Sequence, residues 1–170
     1  LGITVPMSRA AMKIVVRETL ARNRIRNGIV YMQVTRGVAT RDHNYPAGLK
    51  PVLVVTARHT NPARRASVLR DGISVVTVPD QRWARCDIKS ISLLPNVLAR
   101  QTAKDKGVQE AWQVAADGLV TEGAATNAWI VDSAGILRTS PATGGILNGI
   151  VRQSIIGLLG ELDLKFEERA

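Results

Sequence analysis

Cysteine, histidine and long apolar runs are scarce in this sequence, and each scarcity excludes a class of structure. The single cysteine, Cys86, excludes an internal disulfide framework and a cysteine-based zinc cluster, and it favours a reducing compartment. The two histidines, His43 and His59, are too far apart in sequence to form a recognisable metal motif, so no metal site is predicted. The sequence contains no run of about eighteen apolar residues and no charged-then-apolar leader. We therefore expect a cytoplasmic protein with no membrane partner.

Aromatic residues are also few, at 4% of the chain, whereas 23 lysines and arginines give a formal net charge of +9. Such a charge raises the possibility of a nucleic-acid partner. The arginines are scattered, however, and few rings are present on which bases could stack. An apolar content of 45% over 170 residues is ordinary for a folded domain. We prefer an enzyme with anionic ligands and no nucleic-acid partner, and we keep a basic nucleic-acid-binding module as the alternative from a different class.

The first part of the chain predicts a helix and two strands. Ser8 is the predicted N-cap of a helix that ends near Asn23. Branched and aromatic residues predict a strand at 28–36, the turn-rich segment 37–48 predicts a loop, and the apolar run 51–56 predicts a buried strand. The polar stretch that follows contains a proline and predicts a linker. The predicted domains are a partial N-terminal small domain at 1–62, a linker at 63–66 and a partial C-terminal large domain at 67–170.

The second part of the chain predicts short strands between two helices. Gly107 is a natural C-terminal cap for the first of these helices, and Gly149 precedes the second. Asp-Gly and Ser-Ala-Gly turns separate most of the strands, which predicts a mainly antiparallel sheet. The predicted helices cover 93–106 and 149–162, and the predicted strands cover 73–78, 110–115, 118–121, 127–131, 136–139 and 165–168.

Lys89 lies in a largely apolar stretch, and Glu122 follows at the start of a turn. Burial makes the ammonium form of a lysine less favourable, and the free amine can then form a Schiff base with a carbonyl. A carboxylate can hold the proton of an aromatic ring nitrogen. Taken alone, the ordinary interpretation is a solvated strand lysine and a turn glutamate.

Two further segments contain candidate binding residues. The glycine-rich stretch 143–152 leads into a helix whose first backbone N–H groups have no helical partner and can bind an anion, although a plain loop-to-helix junction has the same appearance. Arg41 and His43 can both reach a carboxylate if their loop is extended. Spacing alone would favour an ordinary surface loop here.

The sequence motifs around these residues are more specific than the residues taken alone. Residues 86–101 contain Cys-Asp-Ile-Lys-Ser-x-x-Leu-Leu-x-Asn-Val-Leu-Ala-x-Gln, and residues 121–127 contain Thr-Glu-Gly-x-x-x-Asn. These motifs closely resemble those of the class IV, or fold type IV, aminotransferases. Within that group they are most similar to the motifs of the D-amino acid aminotransferases. The resemblance implies an α/β (α+β) fold, with a small α/β domain and a larger, mainly antiparallel pseudo-barrel domain, both partial here.

The resemblance also implies a pyridoxal 5'-phosphate cofactor. Lys89 would be the catalytic residue that forms the Schiff base, and Glu122 would face the pyridine nitrogen. Val151 stands where many relatives have threonine, and Ala125 where serine is common, so we expect somewhat fewer side-chain hydrogen bonds to the cofactor. Arg82 has two open interpretations, a residue that orders the region of Glu122 or a solvated strand arginine. The other cofactor-binding residues that the resemblance implies are Thr126, Asn127, Leu147, Gly149, Ile150 and Val151.

The substrate side depends on Arg41 and His43, which resemble the Arg-x-His element that holds the substrate α-carboxylate in D-amino acid aminotransferases. The implied activity is transamination between a D-amino acid and a 2-oxo acid. The alternatives within the fold are a branched-chain L-amino acid aminotransferase, an (R)-amine aminotransferase and an aminodeoxychorismate lyase. The resemblance further implies a homodimer. We expect the chain to be a fragment, because the N- and C-terminal segments of the family are missing from it.

Overall fold

A computed structural model describes all residues, 1–170, and the chain divides into two units, Leu1–Arg70 and Asp71–Ala170. Both units contain helices and strands, which confirms the predicted α/β class. None of the helices combines the length and the hydropathy needed to cross a membrane.

The first unit is built on a two-stranded antiparallel sheet. Helix α1 (Arg9–Arg22) begins after Ser8, whose hydroxyl accepts a hydrogen bond from the Ala11 N–H at 3.2 Å, as the sequence predicts. Strands β1 (Gly28–Thr35) and β2 (Val52–His59) pair along their whole length, and α1 contacts β2. The prediction of a buried strand at 51–56 is wrong, because residues along β2 alternate between half-buried and exposed. A two-stranded sheet with a helix against one face leaves its other face to solvent.

The predicted linker at 63–66 forms part of a helix instead, α2 (Pro62–Asp71). Asn61 Oδ1 accepts hydrogen bonds from the backbone N–H groups of Ala63 at 3.0 Å and Arg64 at 3.3 Å. Pro62 occupies the first helical position, where its missing N–H costs nothing. The Asn-Pro pair therefore starts a helix, and the division between the units falls at the end of that helix rather than at 63–66.

The second unit contains two three-stranded sheets. In the first, β3 (Val75–Pro79) lies parallel to β4 (Glu110–Val114), and β4 lies antiparallel to β5 (Val120–Gly123). Helix α3 (Leu94–Asp105) connects β3 to β4, as a parallel pair requires. The core between helix and sheet is formed by small side chains, namely Ala99, Ala103, Ala111 and Ala124.

The other sheet repeats this arrangement. Strand β7 (Leu137–Thr139) pairs antiparallel with β6 (Ile130–Val131) and parallel with β8 (Phe166–Glu168), and helix α4 (Ile150–Glu161) connects β7 to β8. Each sheet of the second unit thus has one antiparallel and one parallel pair, so the unit is mixed rather than mainly antiparallel. The short turns predict the antiparallel pairs correctly, but each helix brings the chain back in the same direction and creates a parallel pair.

Candidate functional site

The carboxylate of Glu122 is buried near the end of β5, where the residue is 7% exposed. Burial raises the pKa of this carboxyl, and the positive charge of Arg82 and the Leu147 N–H oppose the rise without cancelling it. A buried acid with a raised pKa is typical of a functional site, because a structural carboxylate is usually placed in water.

Three protein donors contact this carboxylate. Arg82 Nη1 donates to Oε1, whereas Asn127 Nδ2 at 3.1 Å and the Leu147 N–H at 3.2 Å donate to Oε2. An ionised carboxylate has about four acceptor positions. One acceptor position of Glu122 is therefore free for a donor from outside the protein.

Asp80 and Arg82 lie at the end of β3 and complete a buried group that we call the Asp80–Arg82–Glu122 cluster. Arg82 donates to Asp80 through Nε at 2.9 Å and through Nη2 at 2.6 Å, and its side chain is only 5% exposed. Burial acts to raise the pKa of Asp80, but hydrogen bonds from Arg82 and Thr121 outweigh it and hold that pKa below its ordinary value. With all three groups ionised, the cluster has two negative charges and one positive charge. It therefore keeps a net charge of about −1, which attracts a cation.

The structure decides between the two interpretations of Arg82. Its guanidinium is buried and ion-paired to Glu122, so it orders the acid and is not a solvated strand residue. It also donates through Nη2 to the Gly145 carbonyl at 3.0 Å and to the Thr121 hydroxyl at 3.1 Å. The same side chain thus connects β3, β5 and the glycine-rich turn.

The glycine-rich turn ends at Gly149, which is the N-cap of α4 and forms no side-chain cap. The first-turn N–H groups of α4, including those of Ile150 and Val151, have no partner within the helix and can bind an anion. A Cβ on Gly149 would lie 2.6 Å from Asn127 Oδ1, so any side chain at this position would have to displace the Asn127 amide. Asn127 Nδ2 also donates to the Leu147 carbonyl at 2.8 Å, which fixes the turn beside Glu122.

Arg152 lies in the first turn of α4, and its guanidinium is held by protein acceptors, among them Asn148 Oδ1 beside the start of the helix at 3.1 Å. The residue is 3% exposed, and Nη2 donates to the Ser140 carbonyl at 3.0 Å and pairs with Glu168. An anion at this helix terminus would therefore be bound by backbone N–H groups rather than by this cation.

Lys89 lies between β3 and α3, outside any helix or strand, and the residue is exposed. The expected partial desolvation of this lysine is not found in the structure. The segment around Lys89 has no regular structure, and the nearby Ile91 is exposed as well. The structure leaves its amine accessible, as a nucleophile must be.

The Thr126 side chain contacts another side chain of the same unit. Its hydroxyl donates to Glu110 Oε2 at 3.2 Å, and Glu110 is buried at the start of β4. The amide of Asn127 is likewise engaged with Glu122 and Leu147. The Asn127 side chain therefore supports Glu122 and the glycine-rich turn, whereas the Thr126 side chain is bound to Glu110.

Arg41 and His43 lie in the loop between β1 and β2 of the first unit, and both are exposed. The loop is bent at this point rather than extended, because Asp42 Oδ1 accepts hydrogen bonds from the His43 N–H at 2.6 Å and the Asn44 N–H at 3.3 Å. The Arg36 guanidinium lies 3.9 Å from the centre of the Tyr45 ring, which adds a cation–π contact to the loop.

Sequence reasoning missed Asp80. The only signal was an acidic residue two positions before Arg82, at the end of a predicted strand. The pairing of that acid with the arginine depends on the turn after β3, which local sequence does not specify.

The residues present fit pyridoxal phosphate on two observations. The free acceptor position on buried Glu122 suits a protonated ring nitrogen, and the uncapped N-terminus of α4 suits a phosphate. Such a cofactor also requires a lysine amine, and the accessible Lys89 is the candidate for it.

Comparison with known proteins agrees with this arrangement. The family described as amino-transferase class IV matches the chain over residues 1–170. A D-alanine aminotransferase from Bacillus licheniformis is 42% identical over 171 residues, which cover 100% of this chain and 59% of that protein. A D-alanine aminotransferase from Staphylococcus haemolyticus is 43% identical, over 91% of this chain and 54% of that protein. The chain thus spans somewhat over half the length of these relatives.

A solved structure gives the same result for the fold. The branched-chain amino acid aminotransferase of Escherichia coli superposes with a TM-score of 0.81 at 25% identity, and the alignment covers 98% of this chain and 56% of that one. The arrangement of helices and strands is therefore that of a fold type IV enzyme.

Proposed function

The chain belongs to the class IV aminotransferase family, and from this premise we propose that the full-length protein transfers the amino group of a D-amino acid to a 2-oxo acid with pyridoxal phosphate as cofactor. The observation that carries the proposal is the buried Glu122 carboxylate, which has one free acceptor position in a cluster of net negative charge.

Pyridoxal phosphate, when bound, supplies an electron-withdrawing ring that makes the α-proton of the substrate easier to remove. Glu122 would keep the ring nitrogen protonated, and its raised pKa matches it to share that proton. Leu147 would pack against the ring, and the backbone N–H groups of Ile150 and Val151 would bind the phosphate. Asn127 holds both the acid and the turn in place for this purpose.

Lys89 moves the proton in this proposal. Its Nζ would take the proton from the substrate α-carbon as a general base and would then deliver it, as a general acid, to the C4′ carbon of the cofactor within the same half-reaction. Because the residue is exposed, its amine is accessible to the cofactor and to the substrate. Arg41 and His43 would bind the substrate α-carboxylate, the arginine through two parallel hydrogen bonds, and for both to reach it the loop that Asp42 holds bent would have to open.

The preference for a D-amino acid is supported by the relatives. The proteins at 42% and 43% identity are D-alanine aminotransferases, whereas the branched-chain enzyme of similar fold is 25% identical. A branched-chain L-amino acid aminotransferase is therefore the second candidate, because that structure superposes so closely. We also propose a cytoplasmic homodimer, which the family resemblance and the single cysteine support.

The test is a visible absorbance spectrum of the full-length protein titrated with D-alanine and, separately, with L-leucine. We expect bound pyridoxal phosphate to absorb in the visible range and this absorbance to fall with D-alanine only. Pyruvate should accumulate when a second 2-oxo acid is supplied. A fall with L-leucine alone would replace the D-amino acid assignment with the branched-chain one, and a protein that binds no cofactor would refute the enzyme.

A further inference from the structure

We propose that Asp80 is a positioning residue that keeps Glu122 available to the cofactor ring by holding Arg82 away from full pairing with that acid. The inference rests on the proposed function, because it concerns how Glu122 is prepared for a ring nitrogen. Asp80 acts on Glu122 through Arg82, which it contacts directly.

The shape of the guanidinium is the first step of the reasoning. Arginine presents its donors in a rigid plane, and the edge formed by Nε and Nη2 matches the two oxygens of a carboxylate. Asp80 occupies that edge, with Nε to Oδ1 at 2.9 Å and Nη2 to Oδ2 at 2.6 Å. Only Nη1 remains for Glu122, which it contacts through one oxygen.

Asp80 is itself held firmly. The Arg82 backbone N–H donates to Asp80 Oδ1 at 3.0 Å, and the Thr121 hydroxyl lies 2.7 Å from Oδ2. These contacts come from two chain segments, the turn after β3 and strand β5. The orientation of the carboxylate, and hence of the guanidinium plane, is therefore fixed by the protein before any ligand binds.

Competition between the two acids is the consequence. Without the charge on Asp80, Nε and Nη2 of Arg82 would lose their carboxylate partner, and one of these donors could turn toward Oε1 of Glu122, which accepts only from Nη1. A second donor there would fill the free acceptor position on Glu122, and the two groups would be electrically neutral together. With Asp80 in place, Arg82 orders Glu122 through one contact and leaves the other position open.

The experiment uses the full-length, cofactor-free protein with ¹³C-labelled glutamate side chains. The Glu122 carboxyl signal is assigned by its loss in Glu122→Gln, and its titration is compared between the wild type and Asp80→Asn. We expect the pKa of Glu122 to fall in Asp80→Asn, because a negative charge is removed and Arg82 moves closer. A Glu122 titration that is unchanged or shifted upward would overturn the proposal.

The cofactor-loaded protein gives a second measurement. In Asp80→Asn, kcat with D-alanine should fall roughly tenfold while KM for D-alanine changes less than twofold, as expected if one charge-assisted hydrogen bond to the ring is lost and the substrate site is untouched. Asp117→Asn is the matched control, since Asp117 caps the turn before β5 through the Leu119 N–H at 3.0 Å and is exposed. Equal effects of the two substitutions would contradict the role of Asp80.

Thr121→Val keeps the proposal testable if Asp80→Asn does not fold. It removes the hydroxyl that holds Asp80 and should move the Glu122 titration in the same direction by a smaller amount. An opposite or absent shift would count against the proposal. The cofactor-free titration stands apart from catalysis, so a wild type with no transaminase activity would refute the proposed function while the titration still decides the role of Asp80.

Discussion

Replacing Arg82 with methionine should destabilise the protein strongly at neutral pH and much less in mild acid. The substitution removes the only cation of the Asp80–Arg82–Glu122 cluster and leaves two buried carboxylates side by side, with side chains 14% and 9% exposed. Breaking a buried pair by removing one partner costs about 3 to 5 kcal/mol. Such a loss is a large part of the stability of an ordinary domain.

The pH dependence follows from how the variant can relieve this repulsion. One of the two acids can take up a proton, and at pH 7 protonating an ordinary glutamate costs about 3 to 4 kcal/mol, which limits the loss to that size. An acid whose folded pKa lies above its unfolded value binds more protons when folded, so its cost is absent below the unfolded pKa and grows as pH rises through the folded pKa. The raised pKa of Glu122 should rise further in this variant. At pH 5 the cost should therefore be only about 1 kcal/mol.

Urea unfolding of the full-length, cofactor-free protein at pH 7 and pH 5 measures this difference. Arg85→Met is the matched control, because Arg85 forms an exposed ion pair with Asp87, and its unfolding midpoint should match that of the wild type at both pH values. A triple variant with Arg82→Met, Asp80→Asn and Glu122→Gln should recover most of the lost stability, since it buries no unpaired charge. A loss for Arg82→Met that is the same at both pH values would refute the electrostatic account.

Four further outcomes are expected. Gly149→Ala should cost about 2 kcal/mol in urea unfolding, because its Cβ displaces the Asn127 amide and its two hydrogen bonds, whereas Gly145→Ala, whose Cβ meets nothing within 4 Å, should cost nothing. Lys89→Ala should abolish transamination by the full-length protein, and retained turnover would exclude its proton-transfer role. Arg41→Ala should raise KM for α-amino acids far more than for simple amines, and an equal rise would argue against carboxylate binding. Below about pH 4 the wild type should lose the stability that depends on ionised Asp80, and Asp80→Asn should show a flatter acid profile, as chemical unfolding across pH would reveal.

Local signals in the sequence predict the elements well. Ser8 and Gly107 are found at the helix ends where their chemistry requires them, with Gly107 at a φ of +70° that favours glycine. Branched residues predict β1, and the turns predict the hairpins β4–β5 and β6–β7. Each of these features depends on residues only a few positions apart, so a short stretch of sequence is enough to predict it.

Features that depend on distant residues are harder to predict. The Asn61–Pro62 pair is compatible with a linker and also with the start of a helix. Only the hydrogen bonds that Asn61 Oδ1 accepts in the structure distinguish the two. The parallel pairing of β3 with β4 depends on where α3 returns the chain. The exposure of Lys89 depends on the path of a segment without regular structure.

In the candidate site, too, residues with a local sequence signal could be predicted, and residues whose role depends on distant partners could not. Glu122 and the glycine-rich turn could be predicted from the sequence motifs, because their residue types indicate an acid and an anion-binding turn. The role of Arg82 stays open in the sequence, since burial alone distinguishes an ordering residue from a solvated one. Asp80 could not be found, because its role depends on the turn that folds it onto Arg82 and on the contact of Arg82 with Glu122, 40 positions away.

The contact between Arg82 Nη2 and the Gly145 carbonyl has a consequence for anyone who redesigns this protein. The glycine-rich turn cannot be replaced on its own by the turn of a relative. Its carbonyl groups accept hydrogen bonds from Arg82 and Asn127, and these two side chains also hold Glu122 in place. A transplanted turn with a shifted backbone would disturb Glu122 twice, through its own Leu147 N–H and through the two side chains that it shares with the acid. Residues 80–82, 121–127 and 144–149 form one transferable unit, and a chimaera should move them together.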